Sequence, residues 1–253
     1  MSANLAESRM TRIKAEWKLA FDEMNARPSF QRILNSKIEL KHYQSILRQA
    51  YYHARERPQV QAFATVFFRG HQRKHLRTFF RDALSEIGHD ELALLDLKNL
   101  GVETSNIPFE RPLPSTMALI AYGYYQVQHL NPVGYLGYLL HFDFMPAYGS
   151  RSYLEALQKS GIPREAMAFF HDSSGTEFNH NKFLEAYVDD LVKNESDLEA
   201  VIYAMRTTSR LYELMIAEAI EEVENPHPIT IPRDELRQDP IIISASTLPP
   251  AKA

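Results

Sequence analysis

Helical periodicity extends over almost the whole of this chain and constrains its fold more than any other feature. Apolar residues recur three and four positions apart, as they do on one face of a helix. Glycine is scarce, with 9 among 253 residues, and alternating β-branched runs are nearly absent before the C-terminal segment. The pattern therefore predicts an all-α protein. The predicted helices cover residues 5–26, 40–57, 59–100, 115–129, 131–145, 152–160, 163–170, 174–193 and 196–224.

Proline and glycine set the predicted helix ends. Pro58 is expected to end the second helix and Pro146 the fifth, because proline has no backbone N–H to donate and clashes with the preceding turn. Gly101 is expected to cap the third helix, since glycine readily adopts the left-handed conformation found at helix ends. The same long third helix is expected to break near residues 70–75.

The composition changes after residue 224. Residues 225–253 are rich in proline and cannot be helical throughout. We expect them to form an extended tail that lies on its own body or on a partner. By length alone the chain could hold one large domain or two small ones. Residues 1–224 are predicted to form a single helical domain.

The composition also bears on the class of protein. A formal charge of −4 offers no basic surface for nucleic acid, and no apolar run is long enough to span a bilayer. The N-terminal residues lack the apolar core of a secretory signal, so a cytoplasmic protein is expected. Cysteine is absent, which leaves His, Asp and Glu as the metal ligands. These ligands suit iron, manganese or zinc.

Two Glu-x-x-His units are the clearest sign of chemistry. Glu86 is followed by His89, and Glu177 by His180. Positions three apart lie on nearly the same face of a helix, so each unit can direct a carboxylate oxygen and an imidazole nitrogen to one point. Helical bundles hold two iron or manganese ions between two such helices. A single unit is commonly only a solvated pair on the surface.

Both units and one further carboxylate lie on otherwise apolar helix faces. On the first, Asp82, Glu86 and His89 fall within about 60° of one another around the axis, while Asp143 ends an aliphatic stripe on another helix. Ionisable groups on an apolar face are costly to bury unless they are paired or bound to a metal. The convergence of three helices therefore favours a metal site. Its candidate ligands are Asp82, Glu86, His89, Asp143, Glu177 and His180.

Three segments together resemble a known family. They are FRDALSEIGHDELALLDLKNLG from Phe80, ALIAYGYYQVQHLNPVGYLGYLLHFDF from Ala118 and GIPREAMAFFHDSSGTEFNHNKFLEAY from Gly161. In helix order and motif spacing, residues 35–224 resemble the haem-oxygenase-like iron-containing redox enzymes. These form the non-haem diiron branch of the superfamily that also holds the TenA and PqqC proteins. The resemblance implies a haem-oxygenase-like bundle of about seven to nine helices and a homodimer.

The resemblance also implies a ligand pattern. The family has a carboxylate and a histidine seven residues apart on one helix, and these positions correspond to Asp82 and His89. Its carboxylate on a middle helix corresponds to Asp143. Two positions that are usually Glu are therefore Asp in this chain. Glu86, one turn before His89, is an alternative to Asp82 as the carboxylate ligand.

The last part of the family pattern is His-x3-Asp/Glu-x2-His. Its second and third positions correspond to Glu177 and His180, but Ser173 stands in place of the first histidine. His171 could replace that histidine only if the backbone bends there. The resemblance therefore leaves open whether the site holds one metal ion or two.

The function implied by the resemblance is that of a non-haem iron oxidase or oxygenase. Such an enzyme would activate O2 at a site of one or two Fe ions, with Mn as the alternative metal, and would oxidise a small molecule such as an amine, an amino acid or a fatty acid. Neither a nucleic-acid nor a membrane partner is expected, and no residue is assigned as a catalytic acid or base.

Three alternatives on the same fold stay open. A cofactorless oxidase of the PqqC type would bind no metal. A haem oxygenase would need a proximal histidine, for which His42 and His53 are the candidates. A catalytically degenerate member would serve as a binding or dimerisation module, which Ser173 favours. A hydrolase of the TenA type is disfavoured, since its chemistry resembles that of a cysteine nucleophile.

Overall fold

The computed structural model describes residues 2–172 and 177–226, with the side chains at positions 2–8, 71, 147, 150, 172 and 177–183 left outside that description. The described residues form ten α-helices, nine of which have seven or more residues, so the all-α prediction is confirmed. The helices are α1 Ser2–Asn25, α2 Pro28–Leu34, α3 Leu40–Ala64, α4 Leu76–Glu86, α5 His89–Asn99, α6 Pro114–His129, α7 Tyr135–Lys159, α8 Ala168–Asp172, α9 Glu177–Leu191 and α10 Glu195–Glu224. Short 3₁₀ segments at Thr65–Phe67, Gly70–His75, Ile107–Phe109, Pro132–Gly134 and Arg164–Ala166 lie between them.

The long helices α3 and α10 form the centre of the bundle. α10 packs against α1, α3, α6 and α7, and α3 packs against α4, α5, α6 and α10. Their buried faces meet in one apolar cluster, to which α10 contributes Val201, Met205 and Ile216. Burial of such side chains is worth about 1.5–3 kcal/mol each, so the amphipathic pattern of the sequence accounts for the bundle.

Gly137 lets α7 approach α10 closely. A Cβ atom at this position would lie 2.0 Å from the carbonyl oxygen of Val201, well inside contact distance. Only glycine therefore permits this spacing between the two backbones. The close contact fixes the position of α7, the helix that carries Asp143.

The predictions that Pro58 and Pro146 end helices are wrong. Both prolines lie inside helices, in α3 and α7 respectively. A proline in a helix interior removes one backbone hydrogen bond and costs about 3 kcal/mol, but the long apolar faces on either side of it stay buried only if the helix continues. The separate helix predicted at residues 152–160 is consequently the end of α7. The short helix α2, with Pro28 at its first position, was not predicted.

The predicted third helix, residues 59–100, is broken in two places, whereas one break was expected. Its first residues complete α3, and the break expected near residues 70–75 is confirmed as a 3₁₀ segment. A second break, at Gly88, separates α4 from α5. The cap predicted at Gly101 is confirmed, since this residue follows α5 with φ +77°.

The predicted C-terminal tail begins at residue 225, and residues 227–253 lie outside the described part of the chain. None of the helices within residues 2–172 and 177–226 has both the length and the hydropathy to cross a bilayer.

Candidate metal centre

Gly88 places the first Glu-x-x-His unit on two helices instead of one. Glu86 is the last residue of α4, and His89 is the first of α5. Gly88 between them has φ +97°, in the left-handed region that favours glycine. The prediction of one continuous helical turn is therefore wrong. The two side chains nevertheless meet, with Glu86 Oε2 3.3 Å from His89 Nδ1.

Arg57 of α3 completes this cluster, and the sequence analysis missed it. Its Nη1 lies 3.0 Å from Glu86 Oε2, and its guanidinium stacks 5.2 Å from the ring centre of Phe142. Burial alone would lower the pKa of Arg57, but the carboxylates of Glu86 and Asp143 outweigh burial and raise it. Helical periodicity could have indicated that Arg57 is partly buried. Arg57 follows the buried Ala50 by seven residues and therefore lies on the same helix face.

The two other predicted carboxylates on described residues have different surroundings. Asp143 on α7 is half-buried, and its charge acts on Arg57. Asp82 on α4 accepts a hydrogen bond of 2.8 Å from the Tyr187 hydroxyl of α9. The structure thus brings Glu86 and His89 into contact beside Arg57, within the electrostatic reach of Asp143, and ties Asp82 to α9.

The second Glu-x-x-His unit lies at the start of α9. Position 177 is seven residues before Leu184, and position 180 is seven before Tyr187, so all four share one helix face. Leu184 and Tyr187 are buried. The side chains of Glu177 and His180, and the whole of Ser173, lie outside the described residues. Among the side chains that are described, no group of three His, Asp or Glu residues is placed to hold a metal ion.

The donors that the structure does describe fit iron chemically. Glu86 and Asp143 offer carboxylate oxygens and His89 offers an imidazole nitrogen, which are ligands that Fe(II) and Mn(II) accept. Glu86 and Asp143 both act electrostatically on the guanidinium of Arg57, so the two carboxylates lie in the same part of the site. Nδ1 of His89 faces the carboxylate of Glu86, which is the kind of contact that orients the ring of a metal-binding histidine.

The two histidines considered for haem already have protein partners. Nδ1 of His42 accepts a hydrogen bond of 2.9 Å from the backbone N–H of Glu39, as part of a helix cap. Nε2 of His53 shares a hydrogen bond of 2.7 Å with the Tyr138 hydroxyl. A proximal haem ligand needs a free nitrogen facing a porphyrin-sized space. Each contact uses one ring nitrogen, and Nε2 of His42 has no hydrogen-bond partner among the described residues, so these contacts do not decide the haem alternative.

An apolar cavity of about 120 Å³ lies beside the cluster, enclosed by α2, α3, α7, α8 and α10. Its lining is mostly apolar and includes Phe142, Phe170 and Met215. Two polar side chains, Arg57 and His53, also line it. Burial, then the neighbouring Arg57, lowers the pKa of His53 to about 3, so this imidazole is neutral at pH 7. The arrangement offers an apolar compartment for a small molecule next to carboxylate and imidazole donors.

Comparison with known proteins places these features in a family. Residues 44–213, which are more than half of the chain, match the iron-containing redox enzyme family. The resemblance drawn from the sequence motifs is thereby confirmed. No curated protein matches the chain.

Solved structures share the fold. A domain of unknown function with a haem-oxygenase-like fold from Shewanella denitrificans is 23% identical, with a TM-score of 0.77 over 85% of this chain and 93% of that chain. A TenA homologue from P. horikoshii is 12% identical, with a TM-score of 0.66 over 84% of this chain and 98% of that one. A TenA homologue from Pseudomonas syringae pv. tomato is 11% identical, with a TM-score of 0.65 over 84% and 93%. These likenesses confirm the predicted haem-oxygenase-like fold.

Proposed function

Since the chain belongs to the iron-containing redox enzyme family, we propose that it is an iron-dependent oxidase or oxygenase that uses O2 to oxidise a small molecule. The observation that carries the proposal is the contact of Glu86 with His89 beside an apolar cavity. A carboxylate and an imidazole at the edge of a substrate-sized space are what such chemistry requires. The bound metal would supply the electrons that O2 activation needs.

We assign the metal to donors on four helices. Glu86 and His89 come from the junction of α4 and α5, and Asp143 comes from α7. Glu177 and His180 at the start of α9 complete the set. Asp82, one turn before Glu86, is the alternative carboxylate, and its hydrogen bond from the α9 helix would hold it in position. With serine at position 173, the set supports one strong site, and a second ion would have fewer ligands.

The surrounding residues have separate roles in this proposal. Arg57 holds the Glu86 carboxylate in place through their ion pair. The hydrogen bond between His53 and Tyr138 fixes a neutral imidazole in the cavity wall. The apolar lining would exclude water and so limit side reactions during turnover.

Oxygen consumption tests the proposal. Metal-free protein is loaded anaerobically with Fe(II), mixed with O2 and a panel of small acids, amines and amino acids, and followed with an oxygen electrode. We expect substrate-dependent O2 uptake in the wild type and a loss of at least tenfold in Glu86→Gln. Glu91→Gln is the matched control, because Glu91 is an exposed residue of α5.

The opposite results would assign a different function. Uptake that needs no metal would indicate a cofactorless oxidase. Absence of uptake with every compound, together with no retained iron, would indicate a binding module. Equal uptake in wild type and Glu86→Gln would contradict the assigned site.

A further inference from the structure

The cavity has the size and lining for one small apolar body. Its volume of about 120 Å³ is comparable to the roughly 150 Å³ of an engineered protein cavity that binds benzene. Aromatic rings from Phe30, Phe142, Phe169 and Phe170 line it, and such rings pack favourably against another ring. A ligand body of about one aromatic ring therefore fits, whereas an extended long alkyl chain does not.

The described lining of the cavity carries charge of a single sign. Among the described residues that line it, Arg57 is the only charged side chain, and His53 is neutral at pH 7. A buried charge is costly unless it is paired. An ammonium group entering the cavity would meet the like charge of Arg57 and no carboxylate in the described lining. An anionic group would meet a partner.

Arg57 keeps donors for such a partner. A guanidinium has five N–H donors, and the one ion pair of Arg57 with a described residue joins Nη1 to Glu86 Oε2 at 3.0 Å. Its contact with Phe142 uses the face of the guanidinium plane. The N–H edges in that plane are the groups that bind a carboxylate in a two-pronged contact.

We propose that the cavity binds a small carboxylic acid whose apolar body is about one aromatic ring in size and whose carboxylate pairs with Arg57. This inference rests on the proposed function and names the substrate class of the same site. The pairing directs the acid end of the molecule towards Glu86 and His89. The far end of the ring lies among Phe169, Phe170 and the other apolar residues.

Calorimetric titration of the purified full-length protein tests the inference with three probes. Phenylacetate, benzyl alcohol and 2-phenylethylamine share one ring and differ in charge. We expect phenylacetate to bind at least tenfold more tightly than either of the others. Equal affinity for all three, or preference for the amine, would overturn the inference, and this comparison needs no variant.

A pair of variants locates the acid. Arg57→Gln is expected to weaken phenylacetate binding at least tenfold. Arg55→Gln is the matched control, because Arg55 lies on the same helix, contacts Glu56 and the Pro108 carbonyl, and does not line the cavity. Circular dichroism checks that both variants fold, and if Arg57→Gln does not, the three probes decide alone. Equal effects of the two substitutions would overturn the inference.

Iron measured on the same samples separates this inference from the proposed function. Iron retention without a preference for phenylacetate would contradict the proposed acid-binding site but not the proposed iron-dependent function. Preference for phenylacetate without iron retention supports the acid site and contradicts the iron-dependent function.

Discussion

His141 is fully buried on α7, and neither nitrogen of its ring has a hydrogen-bond partner among the residues that the structure describes. Its ring makes edge-on contacts with the rings of Phe142 and Tyr212. Burial lowers the pKa of His141 to about 3. The side chain is therefore neutral at pH 7, and the native fold excludes its charged form.

We expect His141 to make the native state sensitive to acid. The unfolded chain binds a proton at this residue below a pKa of about 6.5, whereas the native state does not until about pH 3. The free energy of unfolding therefore falls as the pH falls between these values, by about 1.4 kcal/mol per pH unit for one such histidine. His141→Leu is expected to reduce this slope without loss of stability at pH 7, since it removes unpaired polar atoms.

Urea unfolding of metal-free protein between pH 4.5 and 7.5 measures the slope. His129→Leu is the control, because His129 is exposed. The same pH dependence in His141→Leu and the wild type would refute the expectation.

Residue by residue, the sequence predicted the candidate site only in part. The rule that an ionisable group on an apolar stripe is paired or bound identified Glu86, His89 and Asp143, which the structure leaves half-buried. The same rule also applies to Arg57, which lies on the buried Ala50 face of α3. Arg57 and Glu86 are 29 positions apart in the chain, so no local sequence pattern indicates that they form a salt bridge. Only the three-dimensional structure identifies Arg57 as the partner of Glu86.

At the level of elements, the turn at Gly88 decides whether His89 faces Glu86. Gly88→Ala would place a Cβ on a residue with φ +97°, although no atom lies within 4 Å of it. The strain is therefore conformational and is expected to lower the free energy of unfolding by about 1–2 kcal/mol. Relief of that strain would turn α5, so we also expect iron retention to fall at least tenfold.

Gly101→Ala is the matched control for this substitution. Gly101 also has a positive φ, of +77°, and open space around its Cβ position, but it follows the other end of α5. We expect a similar loss of stability by thermal unfolding and unchanged iron content. Equal iron content in the two variants would contradict the role given to the turn.

Asp96 joins the helix of His89 to the segment that leads into α9. Its two carboxylate oxygens accept hydrogen bonds of 2.9 Å from the backbone N–H groups of Ala168 and Phe169, at the start of α8. Asp96 is fully buried. A residue on α5 thus fixes the position of α8, which ends one residue before position 173.

Asp96→Asn is therefore expected to destabilise the fold by about 1.5–3 kcal/mol, because an amide has one acceptor oxygen for two N–H donors. We also expect weaker iron retention, through displacement of α8. Thermal unfolding and metal analysis measure the two effects, with Glu91→Gln as an exposed control on the same helix. Wild-type stability and iron content in Asp96→Asn would contradict this role.

For the whole molecule, the fold was predictable because periodicity and burial act together along long helices. Nine helices were predicted, and most of their central residues lie in helices of the structure. The errors at Pro58 and Pro146 share one physical cause. Local propensity breaks a helix at proline, but burial of apolar faces on both sides of it favours continuation. The balance between helix propensity and burial depends on the neighbouring helices, and a local sequence pattern carries no information about them.

The homodimer implied by the family resemblance stays a prediction. We expect sedimentation equilibrium at micromolar concentration to give twice the chain mass of 29.2 kDa. A mass of one chain at every concentration would contradict it.

Iron content of the full-length protein tests the central claim most directly. Wild type, His89→Ala, His180→Ala and the exposed-site control His129→Ala are grown with iron, purified alike and measured by elemental analysis, with circular dichroism to confirm helicity. We predict one or two iron ions per chain in the wild type and in His129→Ala, and less than about a tenth of that amount in His89→Ala and His180→Ala. Wild-type iron content in both of these folded variants would contradict a metal centre between α5 and α9.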